Sequence, residues 1–81
     1  MKELLTIKNY IYGKGIMSKL YQNPFCLMGS HKGKAFKIYF KKTKTDFRSK
    51  KRPVSQLFID IAGKSQVVKH SRNIPTMFYH L

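Results

Sequence analysis

Acidic residues are nearly absent from this chain. Three Asp+Glu face seventeen Lys+Arg, a net charge of +14 over 81 residues. A compact chain with that charge repels itself, so its folded state calls for an anionic partner. Nucleic acid, an anionic membrane surface and an acidic protein are the three candidates. Cysteine occurs once, at Cys26, which excludes an internal disulfide and suits a reducing compartment. No apolar run approaches the roughly 18 residues of a membrane span. The opening Met1-Lys2-Glu3, followed by an apolar stretch at 4–12, has neither the Arg/Ser-rich pattern of an organellar presequence nor a secretory apolar core with its cleavage site. Arginine is scarce too, at Arg48, Arg52 and Arg72 alone. It is the better fork for phosphate and base edges, so the lysine excess is not a demand of nucleic-acid binding. Together with abundant Ile, Tyr, Phe and Asn, it accords with an AT-rich genome, such as that of an organelle, phage or parasite.

What is present argues for a fold. The chain is 42% hydrophobic and 14% aromatic, whereas disordered basic tails lack aromatic and β-branched residues. Its length suits one small domain. Such a chain buries only about 60% of the surface it exposes when unfolded, so stability in isolation is marginal.

Residues 4–12, rich in β-branched and aromatic side chains and running into Gly13-Lys14-Gly15, read as a strand entering a tight turn. Residues 16–21 read as the returning strand, stopped at Asn23-Pro24, and 25–28 as a short apolar segment before a loop, Gly29-Ser30-His31-Lys32-Gly33. In residues 35–41, Phe36, Ile38 and Phe40 alternate with Lys37, Tyr39 and Lys41, a period of two that makes one apolar and one basic-aromatic face. Residues 41–52 form a strongly basic stretch suited to a linker or an RNA-embedded arm. Val54, Leu57, Phe58 and Ile61 fall at helical spacing, with Gly63 placed as a C-cap; a strand is the alternative reading. A further strand is expected at 66–70, and Pro75 marks an extended segment before the apolar end at 77–81. The predicted architecture is α+β: a small antiparallel sheet of about three strands, one or two short helices and basic extensions. Phe36, Phe40, Phe58 and Ile61 are its expected core.

Two stretches carry a resemblance. Arg48-Ser49-Lys50-Lys51-Arg52-Pro53, a possible helix, and Val67-Val68-Lys69-His70-Ser71-Arg72-Asn73-Ile74-Pro75 form the first. Leu5-Thr6-Ile7 through Gly13-Lys14, then Met28-Gly29-Ser30-His31-Lys32-Gly33-Lys34-Ala35-Phe36, form the second. The first resembles the N-terminal half, and the second the C-terminal half, of the bacterial-type small-subunit ribosomal protein nineteen family. The halves stand in reversed order, as in a circular permutation. Residues 1–40 are similar to the family's C-terminal half and 48–81 to its N-terminal half, with 41–47 joining the old termini within a single RNA-binding domain. Arg52 stands where the family has Gly, and His70 where it has Trp. The resemblance implies a structural protein on small-subunit ribosomal RNA in the ribosomal head; the Lys-rich composition and the lack of a presequence pattern point to an organelle-encoded, mitochondrial copy. The resemblance also implies contacts with neighbouring head proteins; a membrane partner is not expected, for want of a clean amphipathic helix with a basic face, and neither is an independent homo-oligomer.

The candidate RNA-binding residues fall into three groups. Lys41, Lys42, Lys44, Arg48, Lys50, Lys51 and Arg52 cluster on the polar stretch, where docked cations would release counterions and make affinity fall with salt. In the glycine loop, backbone N–H groups can form an anion nest; Ser30, Lys32 and Lys34 would add to it, and His31 could bond a phosphate or 2′-hydroxyl. Ser71 and Arg72 form the third group, Arg72 being able to grip phosphate with two N–H donors. Tyr10, Tyr12, Tyr21 and Tyr39 could stack on unpaired bases, although at strand spacing such residues more often serve a core or its edge.

Other classes remain open. Gly29-Ser30-His31 superficially matches small toxin ribonucleases of double-stranded-RNA-binding fold, with His31 as the catalytic group and Glu3, Asp46 or Asp60 as an unmarked partner. A phage or parasite protein that binds nucleic acid to disrupt a host process explains the charge equally well. Cys26, His31, His70 and His80 lack the paired spacing of a metal site. No catalytic residue, metal or other cofactor is therefore expected.

Overall fold

A computed structural model describes residues 2–44 and 53–79. Its elements are α1 (Lys2–Gly13), β1 (Ser18–Tyr21), β2 (Cys26–His31), β3 (Lys34–Lys44), β4 (Pro53–Ile61), β5 (Lys64–Val68), a 3-10 turn (Ser71–Asn73) and a one-turn helix α2 (Ile74–Met77). The five strands form one antiparallel sheet in chain order, β1-β2-β3-β4-β5. The α+β class is as expected, but the sheet has five strands rather than about three.

Two elements exchange identity with their expected forms. Residues 2–13 are helical because Leu4, Ile7 and Ile11 share one face and are all buried, whereas Leu5, Thr6, Asn9 and Tyr12 are exposed. That spacing outweighs the strand preference of Thr6, Ile7 and Ile11. Glu3 lies in the first turn, where a negative charge favours the helix. At the other end, Ile16 N–H donates to Ile11 C=O at 2.9 Å and Gly15 N–H to Tyr12 C=O at 3.0 Å. Gly15, at φ +85, takes the left-handed position this closure needs. Conversely, residues 53–61 form a strand. Ile59 and Ile61 are buried together on one side, while Phe58 and Asp60 fall on the other. Gly63 is no helix cap; Ala62 (φ 51) and Gly63 (φ 87) make the two-residue turn of the β4–β5 hairpin.

Three further boundaries move. Gly29, Ser30 and His31 belong to β2, and only Lys32 (φ 54) and Gly33 (φ 77) turn the chain into β3. Lys41 to Lys44 continue β3 instead of opening a linker. Pro75 lies in α2 near its first helical position, where its missing N–H costs nothing.

The core occupies one side of the sheet. Leu27, Phe36, Ile38, Ile59, Ile61 and Val68 meet Leu4, Ile7 and Ile11 of α1, Ile16, and Ile74 and Phe78 at the chain's end. Phe36 packs edge-on to Phe78, with ring centroids 5.3 Å apart. Gly29 sits on this side between Ser18 and Phe36. A Cβ there would run into the Met17 carbonyl and the Phe36 ring, so its glycine serves strand packing and not phosphate approach. Of the four residues expected in the core, Phe36 and Ile61 are buried, Phe40 packs at its margin, and Phe58 faces away.

Candidate nucleic-acid interface

Strand register determines what the far side of the sheet displays. Tyr21 pairs with Cys26, Cys26 with Tyr39, Tyr39 with Phe58, and Phe58 with Val67. Paired residues in adjacent antiparallel strands share a face, so these five form one row across the sheet. Beside it runs a second row, Lys19, Met28, Lys37, Asp60 and Ser65. Both helices lie on the opposite side, and among the described residues no element covers this one. Tyr21, Met28 and Val67 remain 47%, 44% and 43% exposed.

The centre of the face is organised. The Tyr39 and Phe58 rings are nearly parallel, 13° apart, with centroids separated by 5.9 Å. Lys37 Nζ lies 5.4 Å from the Tyr39 centroid and Lys41 Nζ 5.7 Å from that of Phe58. These are long cation–π distances, near the 6 Å limit, so an incoming planar group could displace either ammonium cheaply. Tyr39 Oη donates to Asp60 Oδ1 at 3.1 Å, and Ser65 Oγ donates to the same oxygen. Partial burial pushes the Tyr39 phenol above its ordinary value of 10.0; the Ser65 contact opposes that shift, while Asp60, as acceptor and as charge, reinforces it. Tyr39 therefore remains a neutral hydrogen-bond donor at physiological pH. Cys26 is a buried free thiol between Tyr21 and Tyr39.

The expected site residues are dispersed by this architecture. Lys41 is on the open face, and Ser30 follows the same alternation near the β2–β3 turn. His31 points to the helix side, where its ring meets Phe78 edge-on at 5.1 Å. Lys32 lies over Tyr79, its Nζ 4.1 Å from the ring centroid. Lys34 shares the β2–β3 turn end with them. Lys34 and Lys41 are seven steps apart along β3, about 23 Å at strand rise. Lys42 is exposed and Lys44 ends the strand. Ser71 and Arg72 form part of the 3-10 turn beside α1, where Tyr10 Oη donates to the Arg72 carbonyl at 3.5 Å. Arg48, Lys50, Lys51 and Arg52 lie outside the described residues. Tyr10 and Tyr12 belong to α1, away from Tyr21 and Tyr39.

Of the expected nuclease and metal groups, Asp46 and His80 lie outside the described residues. His31 and Asp60 are on opposite sides of the sheet. Among the described residues no three His, Cys, Asp or Glu side chains converge to hold a metal. No described helix is long and apolar enough to cross a membrane. The residues missed in the sequence are Lys19, Met28, Lys37, Phe58, Asp60, Ser65 and Val67. Their signal was partly visible in the basic-aromatic alternation of Lys37, Tyr39 and Lys41. No family, curated protein or solved structure matches the chain.

Proposed function

We propose that this protein binds single-stranded RNA across the open face of its sheet. The observation that carries the reading is the uncovered row of Tyr21, Tyr39 and Phe58, flanked by Lys19, Lys37 and Lys41. Unpaired bases stack on aromatic side chains displayed by a sheet, and every base has a face to stack. Lys37 and Lys41 occupy the aromatic pair in the free protein; a stacking base displaces them toward its own phosphates. The net charge of +14 then supplies long-range attraction and the relief of self-repulsion. A duplex fits less well, because its bases are already stacked and a broad sheet cannot enter the deep, narrow major groove of A-form RNA.

The particular RNA implied by the sequence resemblance is that of the small subunit of a mitochondrial ribosome. The helix at 2–13 and the strand at 53–61 weigh against that assignment, since the resemblance places a strand and a helix there. The chemistry of the face stands without it. Fluorescence anisotropy with labelled single-stranded and duplex RNA of equal length tests the proposal. Tighter binding of the single strand is expected, weakened by Tyr39→Ala. Equal binding of both forms, unchanged by that variant, refutes it. Sedimentation with small subunits at low and high salt tests the ribosomal partner separately.

A further inference from the structure

Asp60 is out of place on a phosphate-binding face. It is one of three acids in the chain, and it stands in the same row as Lys19 and Lys37. A carboxylate there repels the RNA backbone. Its surroundings nevertheless hold it in a defined pose, because both the Tyr39 and Ser65 hydroxyls donate to Oδ1. Neither of those bonds uses Oδ2. The Tyr39 hydroxyl also puts Asp60 at the edge of the aromatic platform, where the rim of a base stacked on Tyr39 or Phe58 would lie.

Resting on the RNA-binding reading above, we propose that Asp60 is a specificity residue that selects bases carrying an exocyclic amino group. A carboxylate oxygen is an acceptor only. It can accept a hydrogen bond donated by the amino group of adenine, cytosine or guanine. Uracil offers one imino N–H between two carbonyl oxygens, and those oxygens repel the carboxylate. The oriented Oδ2 thus favours adenine, cytosine and guanine and disfavours uracil. The Tyr39 and Ser65 bonds fix its direction, which makes those two positioning residues for the same discrimination.

Anisotropy titrations of the full chain with oligo-A, oligo-C, oligo-U and alternating UG octamers test this. The amino-bearing sequences are expected to bind about tenfold more tightly than oligo-U, the lower end of what a hydrogen bond to a charged group contributes. Asp60→Asn keeps an Oδ1 acceptor for Tyr39 and Ser65 and adds an N–H₂ donor, so the ratio should fall to near one. Ser65→Ala should lower the ratio by a smaller factor. Loss of a negative charge alone would raise affinity for all four sequences alike and leave the ratio unchanged, which would overturn the assignment. Wild-type binding with no base preference would overturn it as well. Failure of the wild type to bind any octamer would instead remove the RNA-binding reading on which it rests.

Discussion

Phe58 and Ile59 are neighbours in β4 with opposite duties, and alanine at each should separate binding from stability. Ile59 is wholly buried, paired with Ile38 and Gln66 in mid-sheet. Cutting it to alanine leaves a cavity in the core and should cost about 2–5 kcal/mol. At roughly 0.05–0.15 kcal/mol per residue, a chain of this length has about 4–12 kcal/mol in total. The loss should therefore lower the melting temperature by roughly 8–40 °C, at about 4–8 °C per kcal/mol for a domain of this size. Phe58 is half-buried on the other side, touching Tyr39 and, at long range, the Lys41 ammonium. Its removal should cost about 1.5–4 kcal/mol of stability, from one aromatic pair and the burial of most of its ring. It should weaken RNA binding by about 1–3 kcal/mol, the worth of one base–aromatic stack, or roughly 5- to 150-fold. Circular-dichroism melts and anisotropy titrations below both melting temperatures would measure the two effects. Phe58→Ala melting as low as Ile59→Ala, with unchanged RNA affinity, would refute the assignment of the open face.

Three other predictions concern charge, backbone and pH. If Lys19, Lys37 and Lys41 each dock one phosphate, log K should fall with log salt at a slope of about −2 from these contacts, at roughly 0.7 per single-strand contact; Lys37→Gln with Lys41→Gln should reduce the slope by about 1.4. Ala62 holds φ 51 in the β4–β5 turn, a left-handed conformation that costs an L-residue about 1–2 kcal/mol. Ala62→Gly should therefore raise stability by about 1 kcal/mol, detectable as a higher urea midpoint at unchanged slope. Folding raises the Tyr39 pKa, so its neutral form is favoured in the native state. That stabilisation is complete below pH 10 and is lost as pH rises through the higher folded value. Phenolate absorbance, summed over five tyrosines, should lose one fifth of its amplitude in Tyr39→Phe, and the loss should fall above pH 10.

The sequence alone determined the electrostatic character, the α+β class, the strand at the centre of the sheet and the absence of an internal disulfide. The 35–41 part of β3 was legible because Phe36, Ile38 and Phe40 alternate with Lys37, Tyr39 and Lys41, a pattern only a two-sided strand satisfies, whereas 41–44 read as a linker. Residues 2–13 and 53–61 were not, because each offers two patterns. Leu4, Ile7 and Ile11 carry a helical spacing within strand-prone side chains, and Val54, Leu57, Phe58 and Ile61 carry one that the structure does not use. Tertiary packing settled both: α1 packs into the core on one side of the sheet, and β4 pairs along its own full length with β3. The same packing decided the candidate site. Phe58 is as apolar as Phe36, and composition assigns both to a core. Only the register Tyr39↔Phe58, with the helices confined to the other side, brings Phe58 out beside Tyr39 and next to Lys41, with Lys37 over the Tyr39 ring. Charge is a property of composition, but a face exists only once strands are paired.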